Sequence, residues 1–141
     1  MKNRVILDTG PLVALINARD RFHEWSKMQW ADMEPPLLTC EAVISEACFL
    51  LRNTGGGSRT VLELLERKVL SIPFRLMEDA GPIAWLLKKY ADIPMSLADA
   101  CLVRMSELYA DSLVLTLDAD FNIYRRNKRN VIPTRFPRNI K

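Results

Sequence analysis

The sequence is poor in the residues from which soft-metal and disulfide-built proteins are made: one histidine, His23, and three cysteines in 141 residues. Cys40, Cys48 and Cys101 form no C-x-x-C pair, and with a single imidazole they argue against a tetrahedral zinc site. Odd in number and set among apolar neighbours, they read as small core residues of a cytosolic protein, and any metal the chain uses should prefer oxygen. A long hydrophobic run is also missing. The most apolar window, Val5 to Ile16, contains Asp8, Gly10 and Pro11 and falls short of the roughly 20 apolar residues that cross a bilayer. Lys2 and Arg4 are followed by only a short apolar run before a carboxylate, so no secretory signal is expected and the expected location is the cytoplasm. The one low-complexity stretch, Asn53-Thr54-Gly55-Gly56-Gly57-Ser58, lacks the G-K-[ST] ending of a phosphate-binding loop and reads as a flexible link between helices.

The rest of the composition, 49% hydrophobic and 26% charged, describes a globular chain whose length suits one domain, residues 1–141. The formal charge of +3 is unevenly spread. From residue 124 onward there are seven basic residues (Arg125, Arg126, Lys128, Arg129, Arg135, Arg138, Lys141) and no acid. That leaves 13 basic and 17 acidic residues upstream, so a body at −4 carries a basic C-terminal segment, 124–141, at +7. Such a segment suits an arm that meets polyanion or an acidic partner, or a merely solubilising end.

Val5-Ile6-Leu7 reads as a buried strand, followed by a tight turn and a helix whose first position is Pro11, where a missing N–H costs nothing. A second helix is expected over 21–33, ended by Pro35-Pro36. Leu37-Leu38 is a short strand, Thr39 can cap a helix over 41–52, and helices over 59–68, 76–90 and 96–109 follow. Strands are expected near 70–73, at 112–117 and at Val131-Ile132. Alternation of this kind implies an α/β fold with a mainly parallel sheet.

In such a sheet ligands bind beyond the carboxyl ends of the strands. Asp8 and Asp118 each follow a strand directly, so both carboxylates emerge at one edge if the strands are neighbours; alternatively each is a turn residue bonded to nearby amides. On the 41–52 helix, Glu41, Ser45 and Arg52 share a polar arc, whereas Glu46 lies outside it, flanked by Ala42, Val43, Phe49 and Leu50. A carboxylate there is partly desolvated unless a cation meets it, or else snorkels to the rim. Asp99 completes a near capping box with Ser96, and the first turn of a helix can also present an acid to a metal. Two carboxylates about 4 Å apart repel by roughly 4 kcal/mol at the effective dielectric of a protein cleft. If Asp8, Glu46, Asp99 and Asp118 converge, the cluster must take up protons or bind a hard divalent cation, Mg²⁺ or Mn²⁺.

The segments Val5-Ile6-Leu7-Asp8-Thr9-Gly10-Pro11, Ser45-Glu46-Ala47, Ser96-Leu97-Ala98-Asp99-Ala100 and Thr116-Leu117-Asp118-Ala119-Asp120-Phe121 resemble, in order, the motifs of PIN-domain ribonucleases, in particular the VapC-type toxins of VapBC toxin–antitoxin pairs. The resemblance implies a three-layer α/β/α domain and a Mg²⁺- or Mn²⁺-dependent endoribonuclease. Its catalytic and metal-holding acids would fall on Asp8, Glu46, Asp99 and Asp118, with Thr116, Thr9 and Asp120 as auxiliary groups. It further implies an RNA substrate cut in single-stranded regions and a small antitoxin protein as partner. Arg125, Arg126, Lys128 and Arg129 are candidate RNA contacts, with Tyr124 and Phe136 as stacking groups. Self-association through helices carrying Trp25, Trp30 and Trp85 is a candidate homodimer interface. The rival from another class is a catalytically inactive PIN-like module that binds RNA or protein. An aspartyl phosphatase is disfavoured because its D-x-D belongs after the first strand, and Asp8-Thr9-Gly10 matches aspartic proteases only by coincidence of spelling.

Overall fold

The computed structural model describes residues 4–138. Lys2 and Lys141, which entered the charge argument, lie outside them. Five short strands form one parallel sheet: β1 (Arg4–Leu7), β2 (Leu37–Leu38), β3 (Leu70–Ser71), β4 (Ser112–Leu115) and β7 (Thr134–Arg135), in the spatial order β3-β2-β1-β4-β7. β1 is central because Val5, Ile6 and Leu7 are apolar on both faces, as a strand covered on each side must be. It runs in register with β4 from Arg4 opposite Ser112 to Leu7 opposite Leu115. Helices α1 (Thr9–Ile16), α2 (His23–Ala31), α3 (Glu41–Leu50), α4 (Gly57–Glu66), α5 (Ala80–Lys89) and α6 (Leu97–Leu108) make this a three-layer α/β/α architecture. Among the described residues no helix is long and apolar enough to cross a membrane.

Several local expectations are corrected. The helix after β1 begins at Thr9, and Asp8 is its N-cap, accepting the Thr9 amide at 2.8 Å. A polar side chain after the strand can satisfy an orphan N–H, so the chain needs no separate turn. Thr39 does not cap α3. Its hydroxyl donates to the Leu7 carbonyl at 2.9 Å, tying β2 to the end of β1, and Cys40 occupies the cap position without a side-chain bond. The helix expected over 76–90 is a 3-10 turn at Leu76–Asp79 followed by α5. Pro82 explains the break, since its ring lacks an N–H and crowds the carbonyl four residues back. Trp25 and Trp30 are half-buried, each packing against the chain's own core.

The largest correction concerns the basic segment. It is no free arm up to residue 138: β5 (Arg125–Arg126) and β6 (Asn130–Val131) pair as an antiparallel hairpin, and β7 joins the main sheet beside β4. The expected strand at Val131-Ile132 is this hairpin's second strand, shifted by one residue. β7 escapes sequence reading because two residues, Thr134 and Arg135, carry no periodicity.

Candidate active site

The register of β1 and β4 determines the site. With Leu7 opposite Leu115, the next residues of the two strands, Asp8 and Thr116, come side by side. The Thr116 hydroxyl donates to Asp8 Oδ2 at 2.6 Å and accepts the Asp118 amide at 2.9 Å. Asp118 then caps the 3-10 turn Ala119–Asn122, its Oδ1 accepting the Asp120 amide at 2.9 Å. Gly10 suits the same junction: a Cβ there would stand 3.1 Å from Leu117 Cβ, so the missing side chain lets α1 start close against the 116–118 segment.

Asp8, Thr9, Glu46, Asp99 and Asp118 line one cleft of about 380 Å³. The four acids Asp8, Glu46, Asp99 and Asp118 are thus brought to one place by different elements. Asp99 serves both of its readings, since it completes the capping box with Ser96 and still faces the cleft. Glu46 departs from its expected burial. It is exposed, and so are Phe49 and Leu50 beside it, because the core takes the side of α3 that carries Val43 and Ala47 and leaves this face uncovered. Asp120 is half-buried but does not line the cleft.

Electrostatics concentrate on Asp8. Burial pushes its carboxyl up to about 7, against the opposing help of the Thr116 hydroxyl and the Thr9 amide, and the charges of Asp99 and Asp118 push the same way. Burial and Asp118 likewise raise Asp99 and Asp120. Among the described residues no three His, Cys, Asp or Glu side chains form a ready-made metal cage. Two features nonetheless fit a hard divalent cation. The donors are all carboxylate and hydroxyl oxygen, and the Thr9 hydroxyl, 3% exposed in the cleft wall, has no hydrogen-bond partner within the protein. A buried hydroxyl left without a partner is costly, and a ligand in the cleft would satisfy it.

Tyr124 departs from its expected role as a stacking group. It does not stack on anything from solution; it is fully buried, edge-on to Tyr90 and Phe121, and donates its hydroxyl to Asp99 Oδ2 at 3.1 Å. Burial and Asp99 hold the phenol above its usual range, so it remains a donor. The available signal was Phe121 and Tyr124 three apart across a tight turn, a spacing that buries both rings. Phe136 is half-buried. Arg125 and Arg126 are also half-buried and committed to backbone: Arg125 Nη1 donates to the carbonyls of Asn122, Ile123 and Tyr124, and Arg126 Nη1 to those of Ser106 and Ala110. Lys128 and Arg129 are exposed at the hairpin tip. None of the four lines the acidic cleft. His23 is on α2, its Nδ1 bonded to the Ala14 carbonyl at 2.7 Å.

The chain is similar in fold to Mycobacterium tuberculosis VapC20, a toxin that cleaves the sarcin-ricin loop: the TM-score is 0.68 over 92% of this chain and 99% of that one, at 21% identity. No curated protein matches the sequence significantly. The sequence itself matches the PIN domain over residues 5–127, a span that contains all four cleft acids, and the chain belongs to the PIN domain family.

Proposed function

We propose that the chain is a divalent-cation-dependent endoribonuclease that cuts single-stranded regions of RNA in the cytoplasm, as the toxin of a toxin–antitoxin pair. The observation that carries this reading is Asp8. A carboxylate buried at the carboxyl edge of a parallel sheet, with Asp99 and Asp118 close enough to raise it further, is an arrangement that a cation relieves. Membership of the PIN family and the fold shared with VapC20 support the reaction class.

Asp8, Asp99 and Asp118, with Glu46 at the rim, would hold Mg²⁺ or Mn²⁺. Such a cation would supply Lewis acidity, activating water for attack on phosphorus and offsetting charge on the leaving oxygen. The chain's own groups then have distinct tasks. Thr116 holds the Asp8 carboxylate in one rotamer, and Tyr124 does the same for Asp99. The unpartnered Thr9 hydroxyl is placed to donate to a phosphoryl oxygen of the substrate. No histidine is needed, and His23 stays with its backbone partner. A small antitoxin protein would act by covering the acidic cleft. The test is cleavage of a sarcin-ricin-loop RNA by the wild-type protein and by Asp8→Asn, with Mg²⁺ or Mn²⁺ and with chelator. Metal-dependent cutting by the wild type alone is expected. Equal activity of the two proteins would transfer the chain to the inactive binding class.

A further inference from the structure

A second cleft, of about 450 Å³, opens between α5, α6 and the tip of the β5–β6 hairpin, lined among others by Gly81, Pro82, Trp85, Arg104, Asn127 and Lys128. It shares no residue with the acidic cleft. Its floor carries an exposed indole, Trp85, at 43%. Two ammonium groups stand over that ring in cation–π contact, Lys89 Nζ at 5.1 Å and Lys128 Nζ at 5.6 Å from its centroid.

The hairpin tip is held in this position. Asn127 and Lys128 are consecutive non-glycine residues at φ of 51° and 71°, a left-handed conformation that costs free energy at each position. Two tethers compensate: the Asn127 amide donates to Glu107 Oε2 at 2.7 Å, and Lys89 Nζ donates to the Lys128 carbonyl at 2.9 Å. The nearby acids are already answered. Arg104 bonds Asp79 through Nε at 2.8 Å and Glu107 through Nη1 at 3.1 Å. Among the described residues no carboxylate pairs with Lys89 or Lys128. The positive charge beside Trp85 is therefore available to an anion.

We infer that this cleft is a nucleotide subsite for single-stranded RNA, in which Lys89 and Lys128 turn from the Trp85 ring to the flanking phosphates and one base takes their place on it. The choice of polyanion rests on the ribonuclease reading. An aromatic platform between cations accepts any base and requires it to be unstacked from its own strand, which excludes duplex. An acidic peptide would meet the lysines but leave the indole face without a flat partner. The basic segment thus acts through its hairpin tip, while Arg125 and Arg126 hold the hairpin in place.

The test is anisotropy of a fluorescein-labelled ten-nucleotide uridine RNA with the wild-type chain in chelator, where no metal-dependent cutting occurs. Trp85→Ala should weaken binding about tenfold, and Trp85→Phe should restore most of it. Lys89→Gln with Lys128→Gln should lower the slope of log affinity against log salt by about 1.4, two single-strand phosphate contacts. Unchanged affinity of Trp85→Ala overturns the subsite, and so does an oligoglutamate peptide whose binding depends on Trp85 as strongly as that of RNA. If the wild type cuts RNA with Mn²⁺ yet binding ignores Trp85, the subsite alone is overturned. If binding depends on Trp85 and nothing is cut, the subsite holds and the nuclease reading alone is overturned.

Discussion

Asp8→Asn should change how the stability of the metal-free protein depends on pH. The ordinary carboxyl value is 3.8, and burial takes Asp8 to about 7 in the folded chain. Between these values the folded protein keeps a proton that the unfolded chain has released, so stability falls as pH rises. The loss begins near pH 4 and is complete above about pH 7. A separation of about 3 pH units corresponds to about 4 kcal/mol, spread at roughly 1.4 kcal/mol per pH unit. Asparagine removes this dependence but loses the hydrogen bond donated by Thr116, at a cost of about 1 kcal/mol. The variant should therefore be slightly less stable than wild type at pH 4 and about 3 kcal/mol more stable at pH 8. Asp120, raised by burial and by Asp118, keeps that shift in both proteins. Urea unfolding followed by circular dichroism in chelator, across pH 4 to 8.5, measures the difference directly. Saturating Mn²⁺ should recover the wild type at pH 8 and leave the variant nearly unmoved. Parallel pH profiles for the two proteins would refute the placement of a desolvated carboxylate at Asp8.

Three further outcomes follow from the same geometry. Tyr124→Phe removes the donor to Asp99 Oδ2 and should cost about 1 kcal/mol of stability together with weaker Mn²⁺ binding by calorimetry; unchanged Mn²⁺ affinity would limit Tyr124 to packing. Gly10→Ala forces a Cβ to within 3.1 Å of Leu117 and should destabilise by about 1–3 kcal/mol through overpacking, which a melting curve would register as a fall of several degrees. Arg126→Ala leaves the carbonyls of Ser106 and Ala110 without their guanidinium at the end of α6. Its unfolding free energy should drop by about 1–3 kcal/mol, and an unchanged value in denaturant titration would show that the contact carries no stability.

Most of the candidate site was legible in the sequence because Asp8, Asp99 and Asp118 are each adjacent to a boundary that short-range signals mark. Val5-Ile6-Leu7 and Leu113-Val114-Leu115 announce strands by β-branched and aliphatic runs, and an acid at the end of each lies at the binding edge of a parallel sheet by topology alone. Ser96 and Asp99 announce a helix start by mutual capping. What escaped depends on long-range contact. Thr39 has the chemistry of a cap, yet the Leu7 carbonyl, 32 positions away, takes its hydroxyl. Helical angle sets Glu46 among apolar neighbours, but angle does not say which of those neighbours meet the core: Val43 and Ala47 are buried, whereas Phe49 is 62% exposed.

The charge split had the same weakness, and its correction changes what the positive residues are for. Counted along the chain, residues 124–141 are uniformly basic. In three dimensions a guanidinium beside bare carbonyls has a partner at once, so Arg125 and Arg126 turn inward and lock the hairpin to α6 and to the 122–124 backbone. Ammonium groups on flexible stems have no such fork to match, and Lys128 stays at the surface, directed by two left-handed residues onto an indole that another helix supplies. A basic run read as one arm is therefore two devices. Arg126 secures β5 against the helix that carries Asp99, and Lys128 at the tip keeps charge that a phosphate could use.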